Sequence, residues 1–135
     1  MKLIRAILIG ILLVTTGNMW AGDTYYAKVN VSAESGKGKV YASAESAAPA
    51  DDAYQESMSV SNKASSQSVT FNLWAKPAEG MVFSHWEKGG VATTDPANCQ
   101  ITISSDRKDE NAPVEASYVA KFIERPALVL NIINS

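Results

Sequence analysis

The chain is poor in the residues that reactive sites are built from. Its 135 residues include one histidine, His85, and one cysteine, Cys99. A lone thiol cannot close an internal disulfide, so packing alone must hold the fold. Cys99 is read as a small buried residue beside Ile101, with an intermolecular disulfide or reactive thiol as the alternative. A zinc centre usually takes three or four Cys or His ligands, which one of each cannot supply. A Ser-His-Asp arrangement around His85 has serines in plenty but no nucleophile motif, so His85 reads as a polar-face strand residue. Asp106, Asp109, Glu110 and Asn111 lack the spacing and the glycine of a calcium loop and read as a solvated turn. Nothing positions any two of Asp51, Asp52, Glu56 and Glu87 as a pair for sugar hydrolysis. No catalytic residue, metal or cofactor is expected, and the chain is not expected to be an enzyme.

Basic charge is also scarce. Twelve Lys and Arg against fourteen Asp and Glu give a formal charge of −2. Losing residues 1–21 would remove Lys2 and Arg5 and no acid, which takes two more units away, to −4. A weakly acidic domain without a basic stripe is a poor nucleic-acid binder, because that affinity comes mainly from neutralising phosphates.

Long apolar runs are missing except at the start. Lys2 and Arg5 precede an apolar stretch to Val14, and Ala21 offers a small residue for cleavage before Gly22. This is the pattern of an export signal. Its core, Ile7 to Val14, is short against the ~20 residues that span a bilayer. The expectation is a signal at 1–21 and one domain over 22–135, exported to the periplasm, the cell surface or the medium. Its length of about 114 residues is enough for one core. The Ala127–Ile133 tail is apolar but too short to span, so no membrane span is expected after signal removal.

What is abundant is alternation. Tyr25, Ala27, Val29, Val31 and Ala33 are apolar at every second position, and Val40, Ala42 and Ala44 repeat the pattern after Gly36 and Gly38. Period two means half-buried strands, and the glycines suggest positive φ in a tight hairpin from about Tyr25 to Ala44. Between Glu45 and Gln67 the signal fades. A short strand near Glu56–Val60 competes with a helical turn after Asp51 and Asp52, and Ser57, Ser59 and Ser61 around Met58 and Val60 favour the strand. Asn62 to Ser68 reads as a turn.

Val69, Phe71, Leu73 and Ala75 alternate most cleanly, and Pro77 ends that strand. Met81–Trp86 follows, with Phe83 and Trp86 three apart. Either both faces of that strand are covered or a bulge turns Trp86 inward. Val91–Asn98 reads as a loop, Ile101 and Ile103 as a short strand, Ser104–Pro113 as a solvated turn. Val114–Phe122 is a long strand, and Leu128, Leu130 and Ile132 suggest a last extended segment. Six or seven strands with little helix predict a mainly β single domain, β-grasp-like or a small β-sandwich.

These residues also carry a resemblance. Val69–Ala75, the Pro77-Ala-Glu-Gly80 turn, Phe83 and Trp86, Ile101-Thr-Ile103 and Val114–Phe122 together resemble the divergent InlB B-repeat domains of bacterial surface and secreted proteins. The glycine-rich opening with Gly36, Gly38 and Val40 fits the same pattern, so the likeness covers roughly Tyr26–Phe122. Met81 stands where that family usually has Tyr, and Ser43–Ser68 is longer than in its members. The resemblance implies a β-grasp-like sheet, a spacer or adhesive role and no shared catalytic residues. It implies a core of Phe71, Leu73, Phe83, Trp86, Tyr118 and Phe122.

Three aromatics fall on the faces opposite their strands' apolar residues: Trp74, Tyr41 and Tyr26. Exposed aromatics on a flat sheet are a means of stacking sugars or anchoring a protein. The alternative is that the middle segment covers Trp74 as a second core. The expected function is a non-catalytic interaction module for protein or glycan, or else a structural spacer or assembly subunit. The Ala127–Ile133 tail either pairs with the domain's own sheet or joins copies into an oligomer.

Overall fold

The computed structural model describes residues 23–126, and the expected export signal at 1–21 and the tail after Pro126 lie outside the described residues. Eight strands follow in order: β1 (Tyr25–Ala33), β2 (Gly38–Ser43), β3 (Ser57–Ala64), β4 (Ser68–Pro77), β5 (Met81–Lys88), β6 (Val91–Ala92), β7 (Cys99–Ser104) and β8 (Val114–Glu124). They form a five-stranded sheet, β3-β1-β8-β5-β6, and a three-stranded sheet, β2-β4-β7. The expected mainly β domain is therefore built as two layers. The centre of the larger sheet is the parallel pair β1 and β8, and its other pairs are antiparallel. A parallel pair needs a long crossover, and here the whole second sheet lies within that crossover.

The alternation in the sequence becomes the core. Ala27, Val29 and Val31 of β1, Val40 and Ala42 of β2, Val69, Phe71 and Leu73 of β4, and Ile101 and Ile103 of β7 are buried. Of the six aromatic and aliphatic core positions implied by the resemblance, five are buried and Phe83 is part-buried. Burying each large apolar side chain contributes about 1.5–3 kcal/mol.

The first hairpin is corrected. Tyr25–Ala33 and Gly38–Ser43 turn as expected, with Gly36 at φ 77°, but they do not pair. β2 pairs with β4, and β1 pairs with β3 and β8. Period two identifies the buried face of a strand but not the edge it shares. Both strands are apolar on one face, and stacking these faces across the two layers buries both at once. Gly38 does not have the positive φ expected of it. It is glycine because a Cβ there would lie 2.5 Å from Phe122 Cζ and 2.7 Å from the Lys76 carbonyl.

In the middle segment the strand reading holds, and the short helical turn lies at Asp51–Ala53 itself rather than after Asp51 and Asp52 as caps. A single 3-10 turn at Asp51–Ala53 precedes strand β3, although no side chain caps it. β3 runs on to Ala64, past the start of the expected turn, because Asn62 points inward and donates to the Thr70 carbonyl at 2.8 Å. The bulge alternative at β5 is also realised. The register shifts between Phe83 and His85, leaving Ser84 as the extra residue. Phe83 and Trp86 then face the same core, 5.8 Å apart. Trp86 is fully buried, and its indole N–H donates to the Pro96 carbonyl at 2.9 Å. Val91–Ala92 forms a two-residue strand against Glu87 and Lys88 where a loop was expected.

Ser105 is the one buried polar residue among those described. Its hydroxyl donates to the Tyr26 carbonyl at 2.6 Å and accepts from the Arg107 amide at 3.1 Å. This ties the end of β7 to the start of β1, one sheet to the other.

Candidate functional site

Trp74 and Tyr41 are brought together and Tyr26 is not. In the register of β2 and β4, Tyr41 lies directly opposite Trp74, with ring centroids 5.7 Å apart. Both point away from the sandwich core because their strand neighbours Val40, Ala42, Leu73 and Ala75 point into it. Tyr26 lies on the outer face of the other sheet, across from Lys63 of β3. It lines a separate hollow of about 440 Å³ with Ser61, Asn62, Glu110 and Asn111.

Trp74 is only 8% exposed. The middle segment explains this. The Asn72 side chain donates to the Glu45 carbonyl at 3.0 Å, and Lys76 Nζ reaches the Asp51 carbonyl at 3.5 Å. These contacts tie residues Glu45 and Asp51 to the outer side of β4, and the segment brings Tyr54 to 6.4 Å from Tyr41. The exposed platform expected at Trp74 is thus a three-ring strip, Tyr54–Tyr41–Trp74, with its tryptophan end covered. Tyr54 belongs to this strip but lay in a stretch without periodicity, so nothing in the sequence marked it as a partner of Tyr41.

A cleft of about 360 Å³ opens beside the strip, lined by Lys39, Asp51, Glu56, Lys76, Pro77 and Glu79 among others. Lys39 and Lys76 are direct cross-strand neighbours. Like charges in that position repel. Lys76 is relieved by Asp51, at 3.7 Å from its carboxylate, and stands over the Tyr54 ring at 5.4 Å. Among the described residues no carboxylate comes within ion-pair distance of Lys39. Burial, then the Asp51 charge, pushes the Tyr54 phenol above its ordinary range, so its hydroxyl is a hydrogen-bond donor at any physiological pH. The cleft therefore offers ammonium groups and carboxylates, and Lys76 links it to the Tyr54 ring. It suits a polar ligand held at the surface.

His85 has closer company than the sequence suggested. Ser84 Oγ is 2.8 Å from its Nδ1, and Glu87 Oε2 is 3.2 Å from its Nε2. All three lie within four residues of one strand, and none lines the cleft or the hollow beside Tyr26. Acyl transfer needs the hydroxyl aimed at a bound substrate and donors for an oxyanion, and these contacts supply neither. Among the described residues, no group of three His, Cys, Asp or Glu side chains could hold a metal ion. Asp109 instead accepts the Asn111 amide at 2.9 Å, as a turn residue. Cys99 is half-buried, and burial, then the Asp95 charge, pushes its thiol up to about 11. No helix among the described residues is long and apolar enough to cross a membrane. Comparison of the chain with protein-family models, with curated proteins and with solved structures finds no match.

Proposed function

We propose that this chain is an exported, non-catalytic interaction module that binds protein or glycan at its surface, akin to the divergent InlB B-repeat domains it resembles. The observation that carries this reading is the unrelieved Lys39 beside Lys76 in a cleft whose Lys76 also stands over the Tyr54 ring at 5.4 Å. A ligand with acidic or hydroxyl-rich groups offsets the lysine repulsion and stacks against the exposed part of the aromatic strip. Binding to the chain from Gly22 onward is measured on glycan and surface-protein arrays, alongside Tyr54→Ala and Lys39→Ala variants. The expected result is a ligand whose affinity drops about tenfold in each variant, which is roughly 1.4 kcal/mol. Binding that both variants leave unchanged removes the cleft as the site.

The second reading is a structural spacer or assembly subunit without a small ligand. The covering of Trp74 by the middle segment favours it, since that spends the largest outer-face aromatic on folding. A clean negative on broad arrays selects this reading over the first.

A further inference from the structure

The larger sheet ends on an edge that is long, regular and open. β3 pairs with β1 without a register shift, and among the described residues no strand lies along its other side. The bonds just before β3 show which backbone groups face that side. The Ala33 amide donates to the Glu56 carbonyl at 2.9 Å, which is the rung next to Ser32 and Ser57 in the same ladder. Residues of an antiparallel pair alternate, so the even-numbered residues of β3 turn their backbone groups to β1. Gln55 turns the other way, its amide and carbonyl exchanging hydrogen bonds with Val40 of β2 at 2.8 and 2.7 Å. Beyond Gln55 the outward residues are Ser57, Ser59, Ser61 and Lys63, and among the described residues their amides and carbonyls have no partner. The edge of β2 is closed by contrast, since Gln55 takes Val40 and the Met58 sulfur accepts from the Ala42 amide at 3.4 Å.

Nothing in β3 blunts this edge. Proline, bulges and charges are the usual means of keeping an exposed edge single. Ser57–Ala64 has no proline or bulge, and its one charge, Lys63, stands near the end. Ser57, Ser59, Ser61 and Lys63 are exposed on the outer face, whereas Met58 and Val60 point inward and are only part-buried against the core. The strand is also complementary to itself. Set antiparallel to a second copy about a two-fold axis at Val60, Ser57 of one copy meets Lys63 of the other, and Ser59 meets Ser61. This register engages every outward residue of both strands, and each such pair exchanges two hydrogen bonds. No charge meets a like charge, and hydroxyl lies opposite hydroxyl. On the inner face Val60 meets Val60 and Met58 meets Asn62. Moving the axis to Ser59 or Ser61 leaves Lys63 or Ser57 without a partner inside the strand.

We infer that a second copy of this chain adds to the free edge of β3, antiparallel and centred on Val60, joining the two five-stranded sheets edge to edge. The contact is independent of any ligand in the cleft, which Ser59, Val60 and Ser61 do not line. Sedimentation velocity on the purified protein across a wide concentration range tests it, beside two variants. Ser59→Pro removes an outward amide and no bond to β1. The double variant Ser59→Lys, Ser61→Lys sets like charges opposite each other across the two-fold axis. Trp86 fluorescence checks that both variants fold. The expected result is a dimer of the unaltered chain that dissociates on dilution, with a dissociation constant raised about tenfold or more in either variant. Mixing the lysine double variant with its counterpart Ser59→Glu, Ser61→Glu should restore the dimer. A monomer's mass at every concentration overturns the inference, as does a dimer that both variants leave unchanged. A monomer whose Ser59 and Ser61 amides are nonetheless protected from hydrogen exchange also overturns it, and assigns the edge to a segment of the same chain.

Discussion

At the scale of single residues, Cys99 shows how the fold tunes a lone thiol. Cys99 sits at the start of β7 with its thiol raised to about 11 by burial and by Asp95. The thiolate is the nucleophile, and raising its pKa from the ordinary 9.0 leaves about a hundredfold less of it at neutral pH. Labelling by a disulfide reagent at pH 7.5 should be slower by about that factor than for an unhindered peptide thiol. A rate equal to the peptide's would restore the reactive-thiol reading. The sequence placed Cys99 as a buried residue beside Ile101, and in the fold it is half-buried. The shift of its thiol could not be read in the same way, because Asp95 approaches only through the fold of the 93–98 segment.

At the scale of elements, β2 shows how one glycine decides where a strand can lie. Gly38 brings the β2 backbone against Phe122 of β8 and against Lys76 of β4, and a methyl group would meet both well inside van der Waals contact. Gly38→Ala should destabilise the domain by about 1–3 kcal/mol, the range for overpacking a tight contact. Urea unfolding followed by Trp86 fluorescence reads this, and a midpoint unchanged from the parent would refute the close approach. Every strand but β6 was legible in the sequence, as was a bulge between Phe83 and Trp86 as one of two ways to reconcile them. The partner of β2 was not legible. A turn with Gly36 at positive φ serves a hairpin and a crossing between layers equally well, and the local sequence holds no term that separates them.

At the scale of the whole molecule, the β1–β2 corner is pinned to the neighbouring strand β8 by Glu34. Its carboxylate accepts from the Phe122 amide at 3.0 Å and pairs with Lys121 at 3.1 Å and Lys37 at 3.8 Å. The amide bond first, then the lysines, holds its pKa below the ordinary carboxylate range. The folded protein therefore binds this proton more weakly than the unfolded chain. The stability Glu34 contributes is complete above the ordinary carboxylate range and is lost as pH falls through the lowered value. Glu34→Gln should reduce stability at neutral pH and flatten the decline in acid. Parallel acid limbs for parent and variant in urea titrations between pH 7 and 3 would count against this role.

The sequence by itself determined which faces are buried, since side-chain direction in a strand alternates with strict period two whatever its neighbours are. It thereby set the β class and most of the core. Tertiary structure decided everything that depends on which strands meet. It sent β2 to the second sheet and carried Tyr54 from a featureless segment onto Tyr41. It covered Trp74 and set Lys39 against Lys76. These are contacts between residues far apart in the chain, and their energies depend on distances that a local pattern does not contain.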